Sequence, residues 1–324
     1  MKKKLTLPWK KILRCAGFFV LCLCLLMLTS WIFLPRDDTD AAGMLYPDQR
    51  AFYSETEDTI DLFMLGNSSA YRGFSTMELW DSTGITSFVA GEPNETMSGA
   101  NDMLDEVLSK QKPKVIFLET DMIFSGKESV STTLMGIAKS MFPVLKYHNR
   151  WKKLSFQEIF EQNRATYHNY RKGQALSNNI GSYTRGEWML QDGSSEEIST
   201  AVEADFEAFM DTCSENNIQV VLVDIPCALS WSMARHNAIE QLAEDHNLVF
   251  LDLNLDRASY GFDPAADFMD DKGEHLNCSG ARKVTAYLAQ WLTKNTSLKD
   301  HREEADYASW NDDYQQYYAN CGLY

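Results

Sequence analysis

From residue 57 onward, short continuous apolar runs alternate with stretches whose apolar residues recur every three or four positions. "TIDLFML" (59–65) is an apolar run that stops at Gly66, which predicts a buried strand. "STMELWDSTG" opens on Ser75 with Glu78 three residues later, the spacing of a capping box, and closes on Gly84, predicting a short helix. "ITSFVA" (85–90) predicts a second strand. From Met97, apolar residues fall at 97, 100, 103, 104, 107 and 108, one face of a helix that Pro113 ends. "KVIFLE" (114–119), "IQVVLVDIP" (218–226) and "LVFLDL" (248–253) predict the third, fourth and fifth strands, with a helical stretch between the last two. A closing helix over 279–294 places Ala281, Val284, Leu288, Trp291 and Leu292 on one face. Strands alternating with helices predict an α/β fold with a parallel sheet covered on both sides, and in such sheets ligands bind at the carboxyl ends of the strands.

Two regions depart from this rhythm. Residues 15–34, "CAGFFVLCLCLLMLTSWIFL", carry no charge over twenty positions. As a helix they would extend roughly 30 Å, about the hydrocarbon thickness of a bilayer. The run is longer than a signal-peptide core, and no small-x-small cleavage site follows it directly, although a cleaved signal peptide is the alternative reading. Residues 1–14 hold six basic side chains and no acid, and Arg36, Asp37, Asp38 and Asp40 follow the run. The positive-inside rule then predicts a cell-membrane protein with a single pass, a cytoplasmic tail over 1–14 and the C-terminal domain outside. A linker over 35–56 leads to a domain over 57–324.

Residues 122–200 also break the alternation and are long for a connection. They are expected to form a helical insert that caps the strand ends. Within them, "FPVLKYHNRWKKL" is a basic and aromatic cluster in an acidic chain. It would bring Tyr147, His148, Arg150 and Trp151 over the strand-end cleft, to meet a ligand there or to pack the cap for stability alone. The tail 295–324 is acidic, with several tyrosines and Trp310, and carries no readable motif. The expected whole is a flavodoxin-like three-layer sandwich with a central five-stranded parallel sheet, a helical insert and an N-terminal transmembrane helix.

The net charge of −16 is unevenly spread: beyond residue 14 the chain carries 24 basic against 46 acidic side chains. A surface that acidic repels phosphate backbones, which excludes nucleic acid as a partner. Of seven cysteines, Cys213, Cys227, Cys278 and Cys321 would face the outside. They form no Cys-x-x-Cys pair, so no zinc site and no other metal or cofactor is indicated. An oxidising compartment could pair some of them, and the sequence does not say which.

The candidate chemistry lies at strand ends. "LGNSS" (65–69) puts hydroxyls where the first strand stops. A serine is a weak nucleophile until a base takes its proton, and that base usually needs a carboxylate to orient it. Among the six histidines, only His275 sits in a loop after the fifth strand and before the last helix, with Asp270 and Asp271 just upstream. A parallel sheet brings that loop over the same edge as Ser68.

These blocks resemble the SGNH/GDSL hydrolase superfamily. "LGNSS" resembles its first block, which implies Ser68 as the nucleophile. "DDKGEHLNCSGARKVTAYL" resembles its last block, implying His275 as the base and Asp271 as the orienting acid, with Asp270 as the alternative. "GITSFVAGEPNE" resembles its second block, implying that the N–H of Gly91 joins that of Ser68 in an oxyanion hole. The order of blocks covers about residues 59–294. "YHNRW" and the "HLN..GA.KVT" ending are similar to the membrane-anchored, outward-facing branch that includes the teichoic-acid D-alanylation protein DltD and the cell-surface polysaccharide O-acetylation proteins.

Three departures stand out. Asn67 replaces the usual acid of block one. The acid–histidine spacing is four from Asp271 and five from Asp270, against the usual three. The third block, Gly-x-Asn-Asp, is replaced by "LETDM", with Glu119 and Asp121 where an amide would donate to the oxyanion. An ionised carboxylate there would oppose the developing charge, and Asn94 is the candidate replacement donor.

Three functions are therefore expected to compete. One is an O-acyltransferase on a cell-wall or surface polysaccharide, supplied across the membrane by a multi-span acyltransferase partner. The second is an esterase with water as acceptor. The third is a non-catalytic surface module that keeps the fold and partners a membrane acyltransferase.

Overall fold

The computed structural model describes residues 9–125, 136, 138–139, 141–161, 164–191 and 193–321. The chain divides into two compact units, Met1–Leu45 with Ser129–Thr166, and Tyr46–Glu128 with Tyr167–Tyr324. In the smaller unit, helix α1 (Trp9–Phe33) is long and apolar enough to cross a membrane, with a mean hydropathy of 2.4 over its most apolar window.

The larger unit is an α/β fold. In chain order it contains β1 (Leu62–Leu65), α2 (Ser68–Gly73), α3 (Thr76–Thr83), β2 (Ser87–Ala90), α4 (Met97–Leu108) and β3 (Val115–Glu119). These are followed by α5 (Thr200–Glu215), β4 (Gln219–Asp224), α6 (Met233–His246), β5 (Val249–Asp252), α7 (Cys278–Asn295) and α8 (Ala308–Asn320). The five strands pair in parallel in the order β2-β1-β3-β4-β5. That is a doubly wound order, whose crevice opens beyond the carboxyl ends of β1 and β3.

The apolar runs lack polar alternation because both faces of the sheet are covered. Phe63, Leu65, Ile116, Leu118, Val220 and Leu222 join α4 and α5 in one core. Leu62, Met64, Val115, Phe117, Val221 and Val223 join α7 in the other. Register is fixed by this period of two, since a slip of one residue would exchange the two cores.

Several local expectations change. The first strand starts later than its apolar run, because the N–H groups of Thr59 and Ile60 donate to Gln111 Oε1 at 3.0 and 3.3 Å. The capping box at Ser75 does not form. Its hydroxyl bonds Gln174 Oε1 (3.0 Å) and Tyr317 OH (2.9 Å), while Glu78 accepts from Arg282 Nε at 3.0 Å. Tertiary partners outcompete the local cap there. Gly84 closes the helix as predicted, in the left-handed region.

The tail has a structural use. Trp310 and Tyr317 of α8 are buried. Lys172 is fully buried, with Nζ 2.7 Å from both Glu55 and Asp313 and 4.6 Å from the Trp310 ring centroid. A buried ammonium needs such partners, since an unpaired one costs several kcal/mol or shifts its pKa.

The stretch expected as one helical insert is divided. Residues 129–166 group with α1, and those from 167 onward belong to the larger unit. There the described residues to 199 form no helix, and the chain lies along the loop before α7. Gly181 N–H donates to Phe268 (3.0 Å), Tyr183 N–H to Pro264 (3.0 Å), and Cys278 N–H to Ser177 (2.8 Å). Cys213, Cys227, Cys278 and Cys321 are buried, free thiols.

Candidate active site

β1 ends at Leu65, and the chain turns through Gly66 and Asn67 into α2. The Asn67 Oδ1 accepts from Ser69 N–H at 2.8 Å, the helix N-cap bond that sets the start of α2 at Ser68. The turn is tight against its neighbours. A Cβ on Gly66 would stand 2.5 Å from Glu119 Cβ, and one on Gly91 would stand 1.9 Å from the Gly66 carbonyl oxygen. Only glycines permit β1, β2 and β3 to converge this closely beneath the serine.

The histidine arrives from the loop between β5 and α7. Phe268 and Leu276 form an antiparallel bridge across its neck, and Met269 N–H donates to the His275 carbonyl at 2.8 Å. Asp271 Oδ1 accepts from the N–H groups of Glu274 and His275, both at 3.1 Å, which fixes the carboxylate before it meets the ring. Lys272 and Gly273 take positive φ to close this turn.

His275 Nε2 lies 2.8 Å from Ser68 Oγ, and His275 Nδ1 lies 2.8 Å from Asp271 Oδ2. Asp270 points elsewhere and accepts from Asn179 Nδ2 at 3.3 Å. The four-residue spacing from Asp271 is accommodated by the positive-φ turn, so the extra residue changes the loop and not the contact. Ser69 is buried, whereas Ser68 is partly exposed. Tyr71, one turn along α2, is near the Ser68 side chain, and burial raises its phenol above the ordinary value. Sequence reading passed over Tyr71; its signal was the i,i+3 spacing from Ser68 on a short helix.

The altered first and third blocks meet. Asn67 Nδ2 donates to Asp121 Oδ2 at 3.1 Å, and Arg235 of α6 reaches Asp121 Oδ1 at 2.7 Å. The Arg235 guanidinium also bonds Glu196 and lies 4.8 Å from the Phe124 ring. Asp121 is thus a paired anion turned to its neighbours. Glu119 at the end of β3 is fully buried. Its Oε1 accepts from Asp121 N–H at 3.2 Å, and its Oε2 makes no hydrogen bond of good geometry. Burial, then the charge of Asp121, hold its pKa well above the ordinary carboxylate value. The same burial, with Glu119 beside it, raises Asp224 at the end of β4.

The other expected residues are placed as follows. Gly91 lies against the Gly66 carbonyl, beside the turn that carries Ser68. Asn94 is exposed in a left-handed turn after β2, and no hydrogen bond ties it to the Ser68–His275–Asp271 group. Tyr147, His148, Arg150 and Trp151 belong to the smaller unit. Tyr147 OH lies 3.7 Å from Met44 Sδ, His148 is exposed with Nδ1 3.2 Å from the Leu145 carbonyl, and Trp151 is exposed. Arg150 is only 3% exposed: it donates to the carbonyls of Ala42 (2.6 Å), Ile32 and Leu34 (both 3.2 Å), and it pairs with Glu158. Every nitrogen of its guanidinium is engaged, so it offers no free fork to a ligand.

A cavity of about 480 Å³ along β5 is lined by His236, Asp252, Ser259 and Tyr287, among others, and includes none of the Ser68, His275 and Asp271 side chains. No cluster of metal-ligating side chains occurs among the described residues.

No protein-family model matches the chain, and no curated protein does. Solved structures similar to it include the psychrotrophic esterase EstA of Pseudoalteromonas sp., at 16% identity and a TM-score of 0.38, over 72% of this chain and 97% of that one. The lipase/acylhydrolase of Enterococcus faecalis is similar at 14% identity and a TM-score of 0.39, over 74% and 99%. A G-D-S-L family protein of Desulfitobacterium hafniense DCB-2 is similar at 11% identity and 0.38, over 71% and 98%. These neighbours are lipolytic hydrolases, and the likeness is too distant to assign an activity to this chain.

Proposed function

We propose that this protein is a membrane-anchored SGNH-type serine acyl-transfer enzyme, in which Ser68 is the nucleophile, His275 the base and Asp271 the orienting acid. The observation that carries the reading is the continuous chain Ser68 Oγ to His275 Nε2 to Asp271, with 2.8 Å at each link. Nucleophile–base–orienter contact of this kind is the geometry that general-base activation of a hydroxyl requires.

Ser68 Oγ attacks an ester carbonyl while His275 Nε2 takes its proton. Asp271 accepts from Nδ1–H, keeps the ring in the tautomer whose Nε2 is free to receive that proton, and stabilises the imidazolium. The oxyanion faces the N–H of Ser68 and that of Gly91, neither of which has an acceptor among the described residues. The imidazolium then gives its proton to the departing alkoxide, leaving an acyl ester on Ser68. An acceptor hydroxyl, deprotonated in turn by His275, attacks that ester and frees the serine.

The acceptor is a sugar hydroxyl of a cell-wall or surface polysaccharide, and a multi-span acyltransferase is the expected donor of the acyl group. Two features support this over a soluble-ester substrate. α1 is long and apolar enough to tether the chain at a bilayer, and the partial exposure of His275 and Asp271 suits a large acceptor. Asn94 is the added oxyanion donor only if its turn moves toward Ser68. Arg150, with its donors engaged, is left out of the acceptor path.

One observation favours a second reading. Asp121 stands where an amide donor is usual and is held by Arg235. Loss of one oxyanion donor typically costs about 10²–10³ in rate, which fits a slow enzyme or a non-catalytic partner module. Incubation of the full-length protein with an activated acyl ester, with and without a surface glycan, tests the choice. Acylated glycan, abolished in Ser68→Ala and His275→Ala, is expected. Acid release without glycan product would leave an esterase, and neither product would leave the module.

A further inference from the structure

The basic and aromatic cluster of residues 141–160 finds no part in the proposed chemistry, and its placement within the smaller unit gives it another. We infer that this segment is a second membrane contact, seated in the outer headgroup–acyl boundary of a phospholipid bilayer beside the exit of α1. The inference rests on α1 spanning the bilayer.

α1 has 25 residues, about 37 Å at the rise of an α-helix, and so outlasts a hydrocarbon core of about 30 Å. Its last turn therefore lies at the boundary, and the segment is fastened to that turn. Arg150 holds the carbonyls of Ile32 and Leu34, which the end of the helix leaves without intrahelical donors, and the Ala42 carbonyl just beyond. Lys153 Nζ bonds the Asp40 carbonyl at 2.6 Å. The Trp31 and Phe160 rings meet edge-on with centroids 6.2 Å apart, and Phe160 meets Phe156 at 5.6 Å.

Three large apolar rings of this segment are exposed. Trp151 is 65% exposed, Phe156 78% and Phe160 69%. Single exposed aromatics are ordinary on a soluble surface, but Phe156 and Phe160, joined ring to ring to Trp31 of α1, extend that helix's apolar surface sideways. Lys146, Lys152 and Lys153 stand among them, and the Lys152 ammonium lies 5.8 Å from the Trp151 ring. Tryptophan and phenylalanine with interleaved lysines match the boundary region, where rings sit at headgroup level and long basic chains reach lipid phosphates. Arg150, the buried cation of this segment, is turned inward to carbonyls and Glu158 and offers a glycan no free fork.

The test places the photoreactive p-benzoylphenylalanine singly at Phe156, Phe160, Leu21 and Ile180 of the full-length protein in vesicles of phosphatidylcholine and phosphatidylglycerol. Leu21 lies in α1, and Ile180 is an exposed position of the larger unit. Irradiation and mass spectrometry then count phospholipid adducts. At 156 and 160 the adduct yield should approach that at 21 and exceed that at 180 by about tenfold, as burial in the boundary implies. Lipid adducts at 21 with none at 156 or 160 would overturn the second contact while leaving the span intact. No lipid adduct at 21 would overturn the span and the inference with it. Protein adducts in place of lipid at 156 and 160 would also overturn it.

Discussion

Asn67 and Asp121 are buried partners in one hydrogen bond, so a change at either position is felt at the other. Asn67→Asp would set two carboxylates at the present 3.1 Å contact and remove the only donor between them. Both positions are buried, so a loss of about 1–3 kcal/mol is expected, read as a lower thermal midpoint. Adding Asp121→Asn should recover part of it by restoring one donor and one acceptor, and not all, because Arg235 then loses its carboxylate. An unchanged midpoint in Asn67→Asp would contradict the pairing. Glu119 makes a separate prediction. Its raised pKa means that the folded chain keeps a proton which the unfolded chain loses near 4.5, so stability falls as pH rises through and above that value. Glu119→Gln keeps the shape of the neutral acid and removes that loss. Its midpoint should exceed the parent's by about 2–5 °C at pH 7 and match it near pH 4; an equal or lower midpoint at both would show that Glu119 is ionised in place. At this scale the sequence was informative about Ser68 and His275, because hydroxyl and imidazole at strand ends are chemically unusual. It left Asp270 and Asp271 open, since only the positive-φ turn at Lys272 and Gly273 decides which carboxylate meets the ring. It was silent on Arg235, whose partner Asp121 lies 114 positions away.

Among elements, α8 is the one whose attachment depends on charge. Lys172, His168 and Asp313 join it to the body of the larger unit, with His168 Nε2 2.6 Å from Asp313. The hydrogen bond to Asp313 raises His168 above its ordinary 6.5. A histidine that holds its proton more tightly when folded contributes its stability fully below about 6.5 and loses it as pH climbs through the raised value. Half of the His168 side chain is exposed, so screening limits the effect to less than about 1 kcal/mol. His168→Gln should lower the thermal midpoint at pH 5.5 and match the parent by pH 9. A deficit that grows with pH would contradict this bond. Strands and helices with strong periodicity, such as β3, α4 and α7, were legible within one or two residues. α3 was legible in position but not in its cap, because Ser75 found partners 99 and 242 residues away. The tail hid α8 since its apolar residues are few and its buried contacts mix the Trp310 and Tyr317 rings with the Lys172–Asp313 ion pair.

For the whole molecule, the alternation of strands and helices sufficed for the sheet and for the edge at which ligands bind. The division of residues 122–200 was not legible. What joins 129–166 to α1 is a set of contacts across more than a hundred positions, such as Arg150 on Ile32, and no local pattern records them. Composition marked the basic, aromatic segment, and the engagement of Arg150 with carbonyls and Glu158 comes from folding. Single-pass topology predicts that protease added to intact protoplasts removes the larger unit. Complete protection in sealed cells would contradict it.

The most direct measurement is of the covalent state of Ser68. Full-length protein treated with a fluorophosphonate should gain one adduct, mapped by mass spectrometry to Ser68, with labelling lost in Ser68→Ala and His275→Ala and kept in Ser69→Ala. His275 is needed because the hydroxyl reacts only when its proton is taken, and removing either member of such a pair removes most of the rate. An adduct on Ser69, or none on a protein whose thermal midpoint shows it folded, would contradict Ser68 as an activated nucleophile.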